Sequence, residues 1–90
     1  MKEIYCKIYG NVQNVAYRQF AQKKAFDYKV NGTVQNVDEG SVEIIAQGRE
    51  EDLKLFLEAI SAGPEDAEVE SLSVMWGPAQ ESMNGFQILT

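Results

Sequence analysis

The fold class that this sequence predicts is α+β: two helices packed on one face of an antiparallel sheet. Three observations predict it. The hydrophobic period switches along the chain from two to about 3.6 and back, twice over. Two adjacent strand-like runs joined by a short turn separate the two helix-like stretches. A length of 90 residues supports one hydrophobic core and leaves no room for a second, so one domain spanning residues 1–90 is expected.

The elements follow in order. Residues 2–9 alternate, with Ile4, Cys6 and Ile8 on one side and Glu3, Tyr5, Lys7 and Tyr9 on the other, which is a strand with one core-facing side. From Tyr17 the spacing changes: Tyr17, Phe20, Ala21, Lys24, Ala25 and Tyr28 fall at i, i+3, i+4, i+7, i+8 and i+11, the stripe of an amphipathic helix. Lys29 to Val37 and Ser41 to Gly48 have strand composition, and Asp38-Glu39-Gly40 between them supplies a glycine for a hairpin turn. Val42, Ile44 and Ala46 share one face. Val30, Val34 and Asn36 share a parity in the preceding strand, so a polar side chain closes an apolar row.

Arg49 to Ile60 returns to helical spacing through Leu53, Phe56, Leu57 and Ile60, with Glu50, Glu51 and Asp52 in the first turn, where the helix dipole favours acids. Ser61-Ala62-Gly63-Pro64 ends it. Glu68 to Trp76 reads as a strand whose phase slips between Val69 and Leu72, which predicts a bulge or a late start. A short strand, Phe86 to Leu89, follows. The order β-α-β-β-α-β with a small terminal strand is that of a ferredoxin-like sandwich with its helices side by side.

Composition narrows the function. No window is apolar enough for a membrane span, and Lys2, Glu3 and Lys7 break up any secretory-type apolar run at the N-terminus, so the cytoplasm is the default compartment. Cys6 stands alone and has no partner for an internal disulfide. It reads as a small core residue. Histidine is absent, which removes the commonest general base and the commonest metal ligand. A net charge of -6 repels phosphate backbones at long range, so any bound anion must be held by local geometry.

One stretch has that geometry. In Gly10-Asn11-Val12-Gln13-Asn14-Val15-Ala16-Tyr17-Arg18 the loop leaves the first strand and enters the first helix, where successive amides and the helix N-terminus can form a concave nest of donors. Arg18 sits in the first helical turn, where a guanidinium reaching back over the loop clamps an anion with two parallel hydrogen bonds. Taken alone, such a loop is more often a polar connection carrying a solvated arginine. Asn36 taken alone reads first as a strand-end residue supporting its turn through an Asx-type bond.

The motif resembles the signature of the acylphosphatases, Gly-x-Val-Gln-Gly-Val-x-[Phe or Tyr]-Arg, through Gly10, Val12, Gln13, Val15, Tyr17 and Arg18. The resemblance continues through Asn31 to Gly48, similar to the family's second block, and reaches the terminal Gly85-Phe86-Gln87-Ile88-Leu89-Thr90. It implies hydrolysis of the carboxyl-phosphate bond of a small acyl phosphate, without metal or other cofactor. Arg18 is then the phosphate-binding arginine, Asn36 the catalytic asparagine, and the amides of Gln13, Asn14, Val15, Ala16 and Tyr17 the phosphate cradle. Inorganic phosphate is expected to occupy the same loop, and a monomer is the default assembly.

Asn14 stands where the second loop glycine normally lies, and Thr33 where an aromatic usually follows Gly32; Ala16 is small where the family often has something larger. Asparagine visits the left-handed region more readily than other side-chain-bearing residues, so the loop is expected to close around it. Two other readings stand beside this one. The first is a catalytically weak relative that retains the anion nest. The second is an RNA-binding sheet presenting Tyr5 and Tyr9 around Lys7, which net acidity and the lack of an aromatic block in the third strand disfavour.

Overall fold

The computed structural model describes residues 1–13 and 16–90. Along the chain lie β1 (Lys2–Asn11), α1 (Tyr17–Asp27), β2 (Asn31–Asn36), β3 (Val42–Gly48), α2 (Glu50–Ala62), β4 (Glu68–Pro78) and β5 (Phe86–Ile88). The strands form one sheet in the order β4-β1-β3-β2-β5. β1 pairs antiparallel with both β3 and β4, and β2 antiparallel with β3. The two helices pack against each other and against one face of this sheet, α1 over β2 and β5 and α2 over β1, β3 and β4.

Each strand contributes its apolar parity to that face. Ile4, Cys6 and Ile8 of β1, Val34 of β2 and Val42, Ile44 and Ala46 of β3 are fully buried beneath Tyr17, Ala21 and Ala25 of α1 and Leu53, Phe56 and Ile60 of α2. Burial of a side chain as large as Leu53 or Phe56 contributes about 1.5–3 kcal/mol, so these rows set the register of the whole sheet. Burial also pushes the Cys6 thiol up to about 12, which makes it an inert core residue rather than a nucleophile.

One feature differs from an all-antiparallel reading of the sequence. β5 runs parallel to β2, with Gly32, Thr33 and Val34 opposite Phe86, Gln87 and Ile88. The cause lies in the connection: residues 79–85 cross from the β4 edge to the opposite edge of the sheet instead of turning back in a hairpin. Buried Gln47 anchors this crossing, its amide donating to Glu3 Oε1 (2.8 Å) and to the Glu81 carbonyl while its oxygen accepts the Met83 N–H (3.0 Å). At the centre of the sheet β3 lies between β1 and β2.

The phase slip in β4 is a bulge. Tyr9 faces Ser71 but Gly10 faces Val69, leaving Glu70 as the extra residue. Gly10 has φ of 133°, and a Cβ on it would stand 2.1 Å from the Glu68 carbonyl oxygen. Glycine is therefore required where β1 leaves the sheet for the loop. No helix of the described residues is long and apolar enough to cross a membrane.

Candidate active site

The strand order determines what can meet at one end of the sheet. Val42 of β3 pairs with Ile8 on one side and with Asn36 on the other, so the three lie in one row, with Ile8 and Asn36 roughly 10 Å apart at the usual strand spacing. β1 and β2 point the same way because both are antiparallel to β3. The loop that follows β1 and the turn that follows β2 therefore emerge at the same end. Asn36 shares the parity of buried Val34, which puts it on the helix-covered face.

Its backbone is held firmly: the Asn36 N–H donates to the Thr90 main-chain oxygen (2.9 Å), an extension of the β2–β5 pairing. Its side chain is not. Among the described residues, Asn36 Oδ1 is the buried side-chain polar atom that has no hydrogen-bond partner. A buried acceptor in that condition costs roughly 1–3 kcal/mol unless something supplies a donor.

Across from it, Val12 folds into the core and Gln13 begins the loop. Asn14 and Val15, two of the residues expected to supply cradle amides, lie outside the described residues. Gln13, Ala16 and Tyr17 are described. Ala16, at the N-cap of α1, adopts a left-handed conformation, with φ 58° and ψ 25°. An alanine there costs about 1–2 kcal/mol. α1 has no side-chain cap and no acidic residue in its first turn, so the positive end of its dipole is not offset by a carboxylate of its own helix. Arg18, the second residue of α1, is half-buried and forms none of the ion pairs among the described residues. Tyr17 points the other way, into the core, where its hydroxyl donates to the Ile60 carbonyl (2.6 Å).

The neighbouring acids are engaged elsewhere. Glu39 in the β2–β3 turn pairs with Lys7 (2.5 Å) and accepts from Ser41 Oγ (2.9 Å). Its carboxyl is held below the ordinary range first by the Lys7 hydrogen bond and then by Ser41. On the uncovered face of the sheet, Glu43 accepts from Tyr5 Oη (2.5 Å) and from Gln35 (2.8 Å). The Tyr5 and Lys7 side chains that an RNA-binding sheet would present are thus bonded to acids. No three His, Cys, Asp or Glu side chains stand together as a metal-ligand set among the described residues.

The interaction that sequence reasoning missed is the Gln13 side chain. Its Nε2 donates to both the Val37 and the Ser41 carbonyls, each at 2.9 Å, and so bridges the loop to the turn beside Asn36. Its place in the signature motif was the available signal, but only its backbone was assigned a role. A groove of about 630 Å³ lies at the opposite end, lined by Gln22, Phe26, Lys29, Val30 and Phe86 among others. It has neither a helix N-terminus nor an arginine, and an anion is better matched at the Arg18 end.

The acylphosphatase family model matches residues 4–88. The chain belongs to the acylphosphatase family. It is 40% identical to an acylphosphatase of Thermus thermophilus over 88 residues, 98% of this chain and 99% of that one. It is 36% identical to an acylphosphatase of Salinibacter ruber over 97% of this chain and 92% of that one. The crystal structure of acylphosphatase from Bacillus subtilis superposes on it with a TM-score of 0.97 at 36% identity, each chain covered completely. The enzyme class is that of a hydrolase, and the fold is the family's.

Proposed function

We propose that this enzyme hydrolyses small acyl phosphates at the end of the sheet where the β1–α1 loop meets the β2–β3 turn. Arg18 binds the phosphoryl group there and Asn36 orients the attacking water. The phosphoryl oxygens sit against the α1 N-terminus and the amides of residues 13–17, and the Arg18 guanidinium takes two of them. Asn36 Oδ1 accepts a hydrogen bond from a water placed in line with the leaving carboxylate. The water oxygen bonds to phosphorus as the bond from phosphorus to the acyl oxygen breaks. The water's proton passes to a phosphoryl oxygen.

This chemistry asks the protein for positioning and for charge stabilisation on the equatorial oxygens. A carboxylate leaves without protonation, so neither a histidine nor a titrating base is needed. Asn36 does not titrate at all and offers an acceptor in a fixed position. The observation that carries the reading is its buried, unpartnered Oδ1: the missing donor is what a water molecule supplies. The single thiol, buried and inert, suits a reducing cytoplasm.

The test is the disappearance of benzoyl phosphate with a chelator present. Rapid hydrolysis by the wild type, with Arg18→Ala losing about 10³-fold in kcat/KM together with inhibition by inorganic phosphate, is the expected outcome. Phosphate binding without turnover would make the loop an anion nest of a weak relative. Turnover that survives Arg18→Ala would overturn the assignment.

A further inference from the structure

The two hydrogens of one amide do unusual service in this molecule. Gln13 Nε2 donates to the Val37 carbonyl and to the Ser41 carbonyl at the same distance, 2.9 Å, and these two carbonyls already face each other's strands across the turn. Val37 N–H donates to Ser41 O (2.9 Å) and Gly40 N–H to Val37 O (2.9 Å). Each carbonyl thus uses one lone pair to close the turn and the second to hold Gln13. A primary amide offers two donors from one nitrogen; a carboxylate of identical shape offers none when ionised.

The consequence is mechanical. β1 and β2 are not adjacent, since β3 lies between them, and the β1–β3 ladder ends at the Ile8–Val42 pair, short of both the loop after β1 and the turn after β2. Among the described residues, Gln13 is the side chain that makes this link by hydrogen bonds. We infer that Gln13 is a positioning residue: its side chain sets the distance between the phosphoryl-binding loop and Asn36, and hence whether a water on Asn36 stands in line with the bound phosphorus. This rests on the functional reading above and adds to it a side chain that touches neither substrate nor water.

Positioning errors of this kind cost about 10- to 100-fold. The experiment compares Gln13→Leu, Gln13→Glu and Gln22→Leu with wild type, using benzoyl phosphate for turnover, inorganic phosphate as inhibitor and thermal unfolding for the fold. Gln22 is the distant control: its amide also donates to a backbone carbonyl, that of Phe86 (2.9 Å), but it links the middle of α1 to β5. Gln13→Leu is expected to lower kcat/KM by about 10- to 100-fold, whereas Gln22→Leu keeps the wild-type activity.

Gln13→Glu supplies the readout that a merely structural residue would not move. Ionised, its carboxylate faces two carbonyl oxygens and repels both; protonated, it regains one donor. Its activity relative to wild type is therefore expected to rise severalfold as the pH falls from about 8 to about 5. An active wild type with Gln13→Leu and Gln13→Glu both within twofold of it would overturn the tether alone. A flat pH ratio for Gln13→Glu would do the same. An inactive wild type would instead overturn the functional reading, and the tether's role with it.

Discussion

The two ends of this sheet are built from the same kinds of residue and finish in opposite states. At the end where the chain crosses between edges, buried Gln47 uses both its donor and its acceptor on Glu3, Glu81 and Met83. At the other end Asn36 keeps its backbone paired and its side-chain oxygen orphaned. Beside it stand a helix without a side-chain cap, an alanine in a left-handed conformation and an arginine that enters no ion pair among the described residues. The first end is closed within the protein. The second leaves polar groups unpaired among the described residues, and a protein tolerates such a cost where function needs it.

That contrast can be broken most sharply at its open end. After the Arg18→Ala experiment above, the next largest effect is expected from Asn36→Ala. It lowers kcat by about 10²-fold while inorganic phosphate still binds, because the cradle and Arg18 remain. The same change removes a buried acceptor with no partner, so the melting temperature is expected to hold or rise, by up to about 1 kcal/mol in stability. Calorimetry beside steady-state kinetics checks both signs. A loss of stability comparable to the loss of activity would place Asn36 with Gln47 among the structural amides.

Gln47→Leu is the mirror experiment. It strands the Met83 N–H and loosens the crossing of residues 79–85, with an expected cost of about 1–3 kcal/mol in denaturant unfolding. Turnover per folded molecule should stay at the wild-type value. A fall in kcat with an unchanged unfolding midpoint would mean that the two ends are coupled.

The smallest effect at neutral pH comes from the core between them. Burial raises the Cys6 thiol from its ordinary 9.0 to about 12, and it raises Tyr17 from its ordinary 10.0 as well. Both groups stay protonated in the native state after the unfolded chain has begun to lose their protons. Their contribution is complete below about pH 9 and is lost as the pH rises towards 12, at up to about 1.4 kcal/mol per pH unit for each group. Cys6→Ala should remove the part of that slope that begins near 9. Unfolding free energies measured from neutral pH to 11 would show it, and an identical slope in the variant would rule out the thiol as its source.

Much of this molecule was legible in the chain. Alternation in residues 2–9 and 42–48 and helical spacing after Tyr17 and Arg49 gave the elements, because burial on one face imposes a period that local sequence displays. The bulge was legible too, as a slip between Val69 and Leu72. Gly10, Arg18 and Asn36 stood out through the family signature and through a polar residue closing an apolar row. By itself, then, the sequence determined the element order, the core rows and the class of anion chemistry, since these depend on periodicity and residue type within a few positions.

Tertiary structure alone decided the rest. It put β3 between β1 and β2, turned β5 parallel to β2, orphaned Asn36 Oδ1 and spent both hydrogens of Gln13 on carbonyls 24 and 28 residues away. These facts concern which groups find partners across the fold. A side-chain amide carries the same donors and acceptor wherever it sits, and whether they are paired depends on neighbours that only the folded chain brings within hydrogen-bonding distance.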